Sequence, residues 1–146
     1  MNLENINVKH LKDAIAVMQR VADNATCLFN MGYWQDFGDW ESCAISERAL
    51  HGCGIAACFG GWLAVSPEFQ SAGGGVGDEG QPLFNGYQGC LAIAEYLGVG
   101  EIDAEALCAT NADAATQFYR TIGMHLITAR DVLDKLNEML EAVYPR

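Results

Sequence analysis

The chain has 146 residues, 51 % of them apolar, which suits one folded domain and excludes a disordered chain. Its formal charge of −11 at pH 7 argues against nucleic acid or an anionic membrane as a direct partner. No run approaches the ~18 apolar residues of a membrane span. Met1-Asn2-Leu3-Glu4-Asn5 lacks the basic and apolar regions of a signal peptide, so a cytoplasmic protein is expected.

The charge is unevenly placed. Residues 21–119 hold thirteen carboxylates and a single base, Arg48, whereas the two ends together carry six acids and seven bases. A middle segment of this kind favours a basic partner. Duplex DNA spanning the ~38 Å of a domain this size carries about 22 charges. A charge of −11 therefore suits a local acidic patch rather than mimicry of a whole duplex.

In chain order, Val8, Leu11, Ile15, Met18 and Ala22 recur at helical spacing, which predicts an amphipathic helix over 8–22 with Asn7 as its N-cap. Residues 27–34 alternate in a way that suits a short extended segment, and 44–50 suit one or two helical turns. Residues 54–65 read as a central, deeply buried helix. The small residues Gly54, Ala56, Ala57, Gly60, Gly61 and Ala64 cost helix stability, which close approach of another backbone would offset. Residues 66–89, with Gly73-Gly74-Gly75, Gly77, Gly80 and Gly86, read as a long irregular stretch, either a functional loop or a surface insertion. Further helices are expected over 87–97, ending at Gly98, over 103–109, and over 113–122 before Gly123. A last helix starts at Thr128, where Thr128-Ala129-Arg130-Asp131 has the form of a capping box. The expected fold is mainly α, a single compact helical domain of five or six helices spanning 1–146.

Trp34-Gln35-Asp36-Phe37-Gly38-Asp39-Trp40-Glu41 interleaves carboxylates with large aromatics. In an interface the aromatics anchor and the acids orient a basic partner. The alternative is a solvated loop whose aromatics turn inward, the expected role of Phe37. With Asp78, Glu79, Glu101, Asp103 and Glu105, the residues Trp34, Asp36, Asp39, Trp40 and Glu41 make up the candidate binding set. Gly73–Gly80 lacks the Gly-Lys-Ser/Thr ending of a phosphate-binding loop, and Asp78 and Glu79 repel phosphate.

Six cysteines, Cys27, Cys43, Cys53, Cys58, Cys90 and Cys108, are expected as reduced thiols in the core of a cytoplasmic protein. Cys43, His51, Cys53 and Cys58 are the right ligand types for zinc, but Cys53 and Cys58 are too far apart for the usual Cys-x₂₋₄-Cys pair. Cys53 or Cys58 as a nucleophile is the other chemical reading, since Cys followed nearby by Trp resembles papain-like proteases, but those present their histidine from a β-rich half and His125 lies in a helical C-terminal region. His10 and His125 lie on helical patterns and are expected to be structural. No cofactor and no metal is expected.

At Cys53-Gly54-Ile55-Ala56-Ala57-Cys58-Phe59-Gly60-Gly61-Trp62-Leu63-Ala64 the chain resembles a loose group of small bacterial and phage proteins without assigned activity. Their central helix reads Cys-Gly-Thr-x-x-Cys-x-x-Gly-Trp/His-Ala. Ala94-Glu95-Tyr96-Leu97-Gly98-Val99 and Ile127-Thr128-Ala129-Arg130-Asp131 extend the resemblance patchily over about two thirds of the chain. Ile55 stands where the group has Thr. The resemblance implies a helical fold and a phage or mobile-element setting, and no chemistry.

These readings lead to an acidic accessory protein in a host cytoplasm. It would bind and inhibit a basic host protein, such as an anti-restriction or anti-CRISPR target with a nucleic-acid-binding surface. The alternatives are a small cysteine- or zinc-dependent enzyme or module using Cys43, His51, Cys53 and Cys58, and a structural subunit of a virion. The sequence sets no oligomeric state.

Overall fold

The computed structural model describes residues 2–24, 27–35, 44–53, 56–110, 112–121, 123 and 126–144, with backbone alone for 51–53 and 112. Among them are eight helices and one small antiparallel sheet, so the chain is mainly helical.

The two most regular sequence patterns give the two longest helices. α1 (Val8–Asp23) is capped by Asn7, whose side chain accepts from the backbone N–H of His10. α8 (Ala129–Val143) begins with the expected capping box, Thr128 and Asp131 each accepting the other's backbone N–H. The two helices pack on each other and bury Leu11, Val17 and Met18 on one, Val132, Leu133 and Leu136 on the other. Each such side chain is worth about 1.5–3 kcal/mol when fully buried.

α2 (Glu47–Cys53) supplies the turns expected near 44–50, displaced by three residues. α3 (Phe59–Val65) is the central helix, and all seven of its residues are buried. It starts later than the expected residue 54. Ala57 instead pairs in parallel with Phe29, its N–H donating to the Leu28 carbonyl and its carbonyl accepting from Asn30. The neighbouring chain thus satisfies backbone groups that a longer helix would have used. The extended reading of 27–34 corresponds to this bridge. Trp62, fully buried, donates its indole N–H to the Leu28 carbonyl from the other side.

The expected irregular stretch 66–89 is instead structured. Ser66 caps α4 (Pro67–Ser71), with Pro67 at the first helical position. Strands β1 (Gly75–Val76), β2 (Pro82–Phe84) and β3 (Tyr87–Gln88) form an antiparallel sheet in that order, with Gly75 opposite Leu83 and Phe84 opposite Tyr87. Asn85 (φ 51°) and Gly86 (φ 84°) join β2 to β3 in the positive-φ pair that a type I′ hairpin turn requires. The hairpin is held to the helices by an aromatic cluster in which Phe84 meets Phe69, Tyr96 and His10.

α5 (Cys90–Leu97) starts three residues later than expected because Tyr87–Gln88 belong to the sheet. It ends at Gly98 in the left-handed conformation, as the sequence indicates. α6 (Glu101–Leu107) and α7 (Ala112–Phe118) follow, α7 stopping short of the expected residue 122. No described helix is long and apolar enough to cross a membrane.

Candidate functional site

One buried glutamine, Gln35, bonds Ala44, and these two described residues flank 36–43. Gln35 is 4 % exposed; its amide donates to the Ala44 carbonyl (2.7 Å) and accepts from the Ala44 N–H (2.8 Å). Gly80 sits against Gln35: a Cβ on it would meet that residue's Cβ and Cγ at 2.9 and 2.6 Å. Gly80 belongs to the turn carrying Asp78 and Glu79, both exposed. Gln81 organises this turn, accepting from the Glu79 N–H (2.8 Å) and donating to the Asp78 carboxylate (3.2 Å) and to Gln88 (3.3 Å). Gln35, Ala44 and the Asp78–Glu79 turn are thus neighbours. Asp36, Phe37, Asp39, Trp40 and Glu41 themselves lie outside the described residues. Neither Gln35 nor Gln81 was singled out in the sequence, because an uncharged amide in an acidic stretch carries no pattern of its own.

Trp34 is placed differently from the exposed anchor expected of it. It is half-buried and packs against the core, its ring over Gly60 and its edge toward Gly89.

A second acidic locus lies around the α5–α6 corner. A groove of about 480 Å³ runs between the N-terminal segment and this corner. Leu91, Ala94, Glu95 and Gly98, one stripe of α5 and its cap, line one side; Glu101 and Asp103 line the end. Asn2 and Asn5 of the N-terminal segment and Tyr87 of β3 also line it. The Asn5 carbonyl occupies the space where Gly98 would carry a side chain, and the Asn7 N–H donates to the Leu97 carbonyl (2.8 Å), which fixes the N-terminal segment. Tyr87 (47 %) and Leu91 (40 %) are substantially exposed. Glu101 and Asp103 lie in the first turn of α6, where the helix dipole favours acids. Among the described residues neither has a hydrogen-bond or ion-pair partner, and no base lines the groove. Glu95 accepts a long bond from Asn85 (3.4 Å). Glu105 does not line the groove.

Four of the eight bases form ion pairs among the described residues. On α1, Arg20 bridges Glu47 and Glu68, and Lys9 meets Asp13; on α8, Arg130 meets Asp23 and Lys135 meets Glu138. The hydrogen bond from Arg20 holds the Glu68 carboxyl below its ordinary range.

Cys58 is 2 % exposed at the N-cap of α3, and desolvation pushes its thiol up to about 11, against what a nucleophile at neutral pH needs. Burial also raises Cys108 well above the ordinary thiol range. Cys43, His125 and the side chains of His51 and Cys53 lie outside the described residues. Among those described, no three His, Cys, Asp or Glu side chains are placed to share a metal ion. His10 is stacked on Tyr96 at 4.1 Å, and its Nδ1 lies 2.7 Å from the Tyr96 carbonyl, a packing role. No protein-family model, no curated protein and no solved structure matches the chain.

Proposed function

We propose that the chain acts as one acidic, mainly helical binding domain that engages a basic protein surface. The observation that carries this reading is the Gln35–Ala44 clamp against Gly80, which sets the two described residues flanking 36–43 next to the turn of Asp78 and Glu79. Carboxylates gathered on one face repel anions and attract Lys/Arg-rich surfaces, chiefly by speeding encounter. The pairing of bases on α1 and α8 supports it, since those cations are already engaged away from the acidic loops. With the resemblance to small phage and bacterial proteins, the setting we favour is inhibition in the host cytoplasm. The target would be a host defence protein whose nucleic-acid-binding surface is covered by these carboxylates.

Affinity capture from host lysate tests the reading. The wild type is expected to retain a basic protein in a salt-sensitive manner, and reversal of Asp36, Asp39, Glu41, Asp78 and Glu79 to Lys should release it. Retention of the same proteins by both forms would show that the charge serves solubility alone.

A further inference from the structure

We propose that the groove at the α5–α6 corner docks a basic peptide segment of a partner protein, seating an arginine next to an apolar residue. The inference shares with the proposed function a basic partner, but it stands on different residues.

Three features select this occupant. The carboxylates of Glu95, Glu101 and Asp103 border one groove without a base in its lining, so no cation of the groove itself competes with an incoming one. They are not placed around a common metal ion. An extended cation with several donors, such as a guanidinium, suits carboxylates spread along a groove better than a point charge does. The apolar part is equally specific. Tyr87 and Leu91 are about half exposed and line the same groove as Ala94, whose small side chain lets a partner approach the helix. A Tyr ring beside carboxylates accepts an arginine by stacking while the acids take its N–H groups. Leu91 is left for a neighbouring apolar side chain. The volume of about 480 Å³ holds one or two side chains rather than a whole helix.

A displayed library of random dodecapeptides, selected on the full-length wild-type protein, provides the test. Enriched peptides should carry Arg beside Leu, Ile or Phe. Individual binders should lose at least about tenfold in affinity on Glu101→Lys/Asp103→Lys and a smaller factor on Leu91→Ser. The charge-matched Asp134→Lys/Glu141→Lys on exposed α8 positions should leave binding nearly unchanged. Absence of enrichment, equal loss on both double reversals, or indifference to Leu91→Ser would overturn the docking site. A host protein that is lost on reversal of the Asp36–Glu41 and Asp78–Glu79 acids but kept by Glu101→Lys/Asp103→Lys would also overturn it, while leaving the broader reading standing. Groove-dependent peptides without any captured host protein would support the site and count against that broader reading.

Discussion

The carbonyl oxygen of Trp34 lies against the Cα of Gly61, in the space where any β-carbon would stand. The central helix and the 27–35 segment meet there backbone to backbone, which is the offset expected for glycine inside a helix. Gly61→Ala should displace one of them and lower stability by about 1–3 kcal/mol. Urea unfolding measures this directly, and an unchanged midpoint would mean that the segment is not seated on α3.

The Asn85-Gly86 turn gives a second stability prediction. Gly86 has φ 84° with open space around it, so Gly86→Ala should cost about 1 kcal/mol through backbone strain alone. At Gly75 a Cβ would find Leu83 at an ordinary 3.9 Å and no positive φ, so Gly75→Ala should cost less. Thermal unfolding of the two variants side by side checks the order; the reverse order would contradict the turn geometry.

These elements also show where the sequence was legible. α1 and α8 could be read almost to the residue because a long apolar stripe and a polar cap agree at each. The sheet was not, because strands of two or three residues are too short for alternation to register. Only Asn85-Gly86 marked it, and the surrounding glycines obscured that signal. The central helix is shorter than its composition suggests because Ala56 and Ala57 are compatible with either helix or a tight parallel bridge, and tertiary pairing decides. Glu95 was passed over at the groove: along the chain it is an isolated acid, and only the fold sets it beside Glu101 and Asp103.

Thiol reactivity separates packing from chemistry at α3. With its thiol pushed up to about 11, Cys58 should stay almost fully protonated at pH 8, and Cys108 likewise, whereas an exposed thiol near its ordinary ~8.5 is substantially ionised. Alkylation of the native protein followed by peptide mass mapping should find both unmodified, with all six cysteines labelled after unfolding. Rapid native labelling of Cys58 would restore the nucleophile reading.

Arg20 joins α1 to α2 and α4 through Glu47 (3.1 Å) and Glu68, and it lowers the pKa of Glu68 chiefly by hydrogen bonding. A lowered native pKa means that Glu68's contribution is complete above the ordinary carboxylate value near ~4.3 and is lost as pH falls through the native one. The partners are partly exposed, so screening limits the effect, and Arg20→Ala should cost on the order of 1 kcal/mol at neutral pH. Stability curves between neutrality and acid should be flatter for Glu68→Gln than for the wild type over the acid limb. A Glu68→Gln curve parallel to the wild type throughout would show that the pair is not formed.

Gln35 links stability to the proposed function. Replacing it with Leu keeps an apolar body of similar size but leaves the N–H and carbonyl of Ala44, a residue 8 % exposed, without their partner. Each stranded group costs about 1–3 kcal/mol, less whatever solvent reaches it. The base of the 36–43 loop should then open. Limited proteolysis should cut Gln35→Leu faster than wild type between residues 36 and 43, while its helical circular dichroism is retained. If the loop acids bind as proposed, the same variant should associate more slowly with the captured partner although every carboxylate is still present, because the clamp against Gly80 is lost. Wild-type association rates in a variant shown by proteolysis to have an open loop would mean that the clamp has no part in presenting the acids.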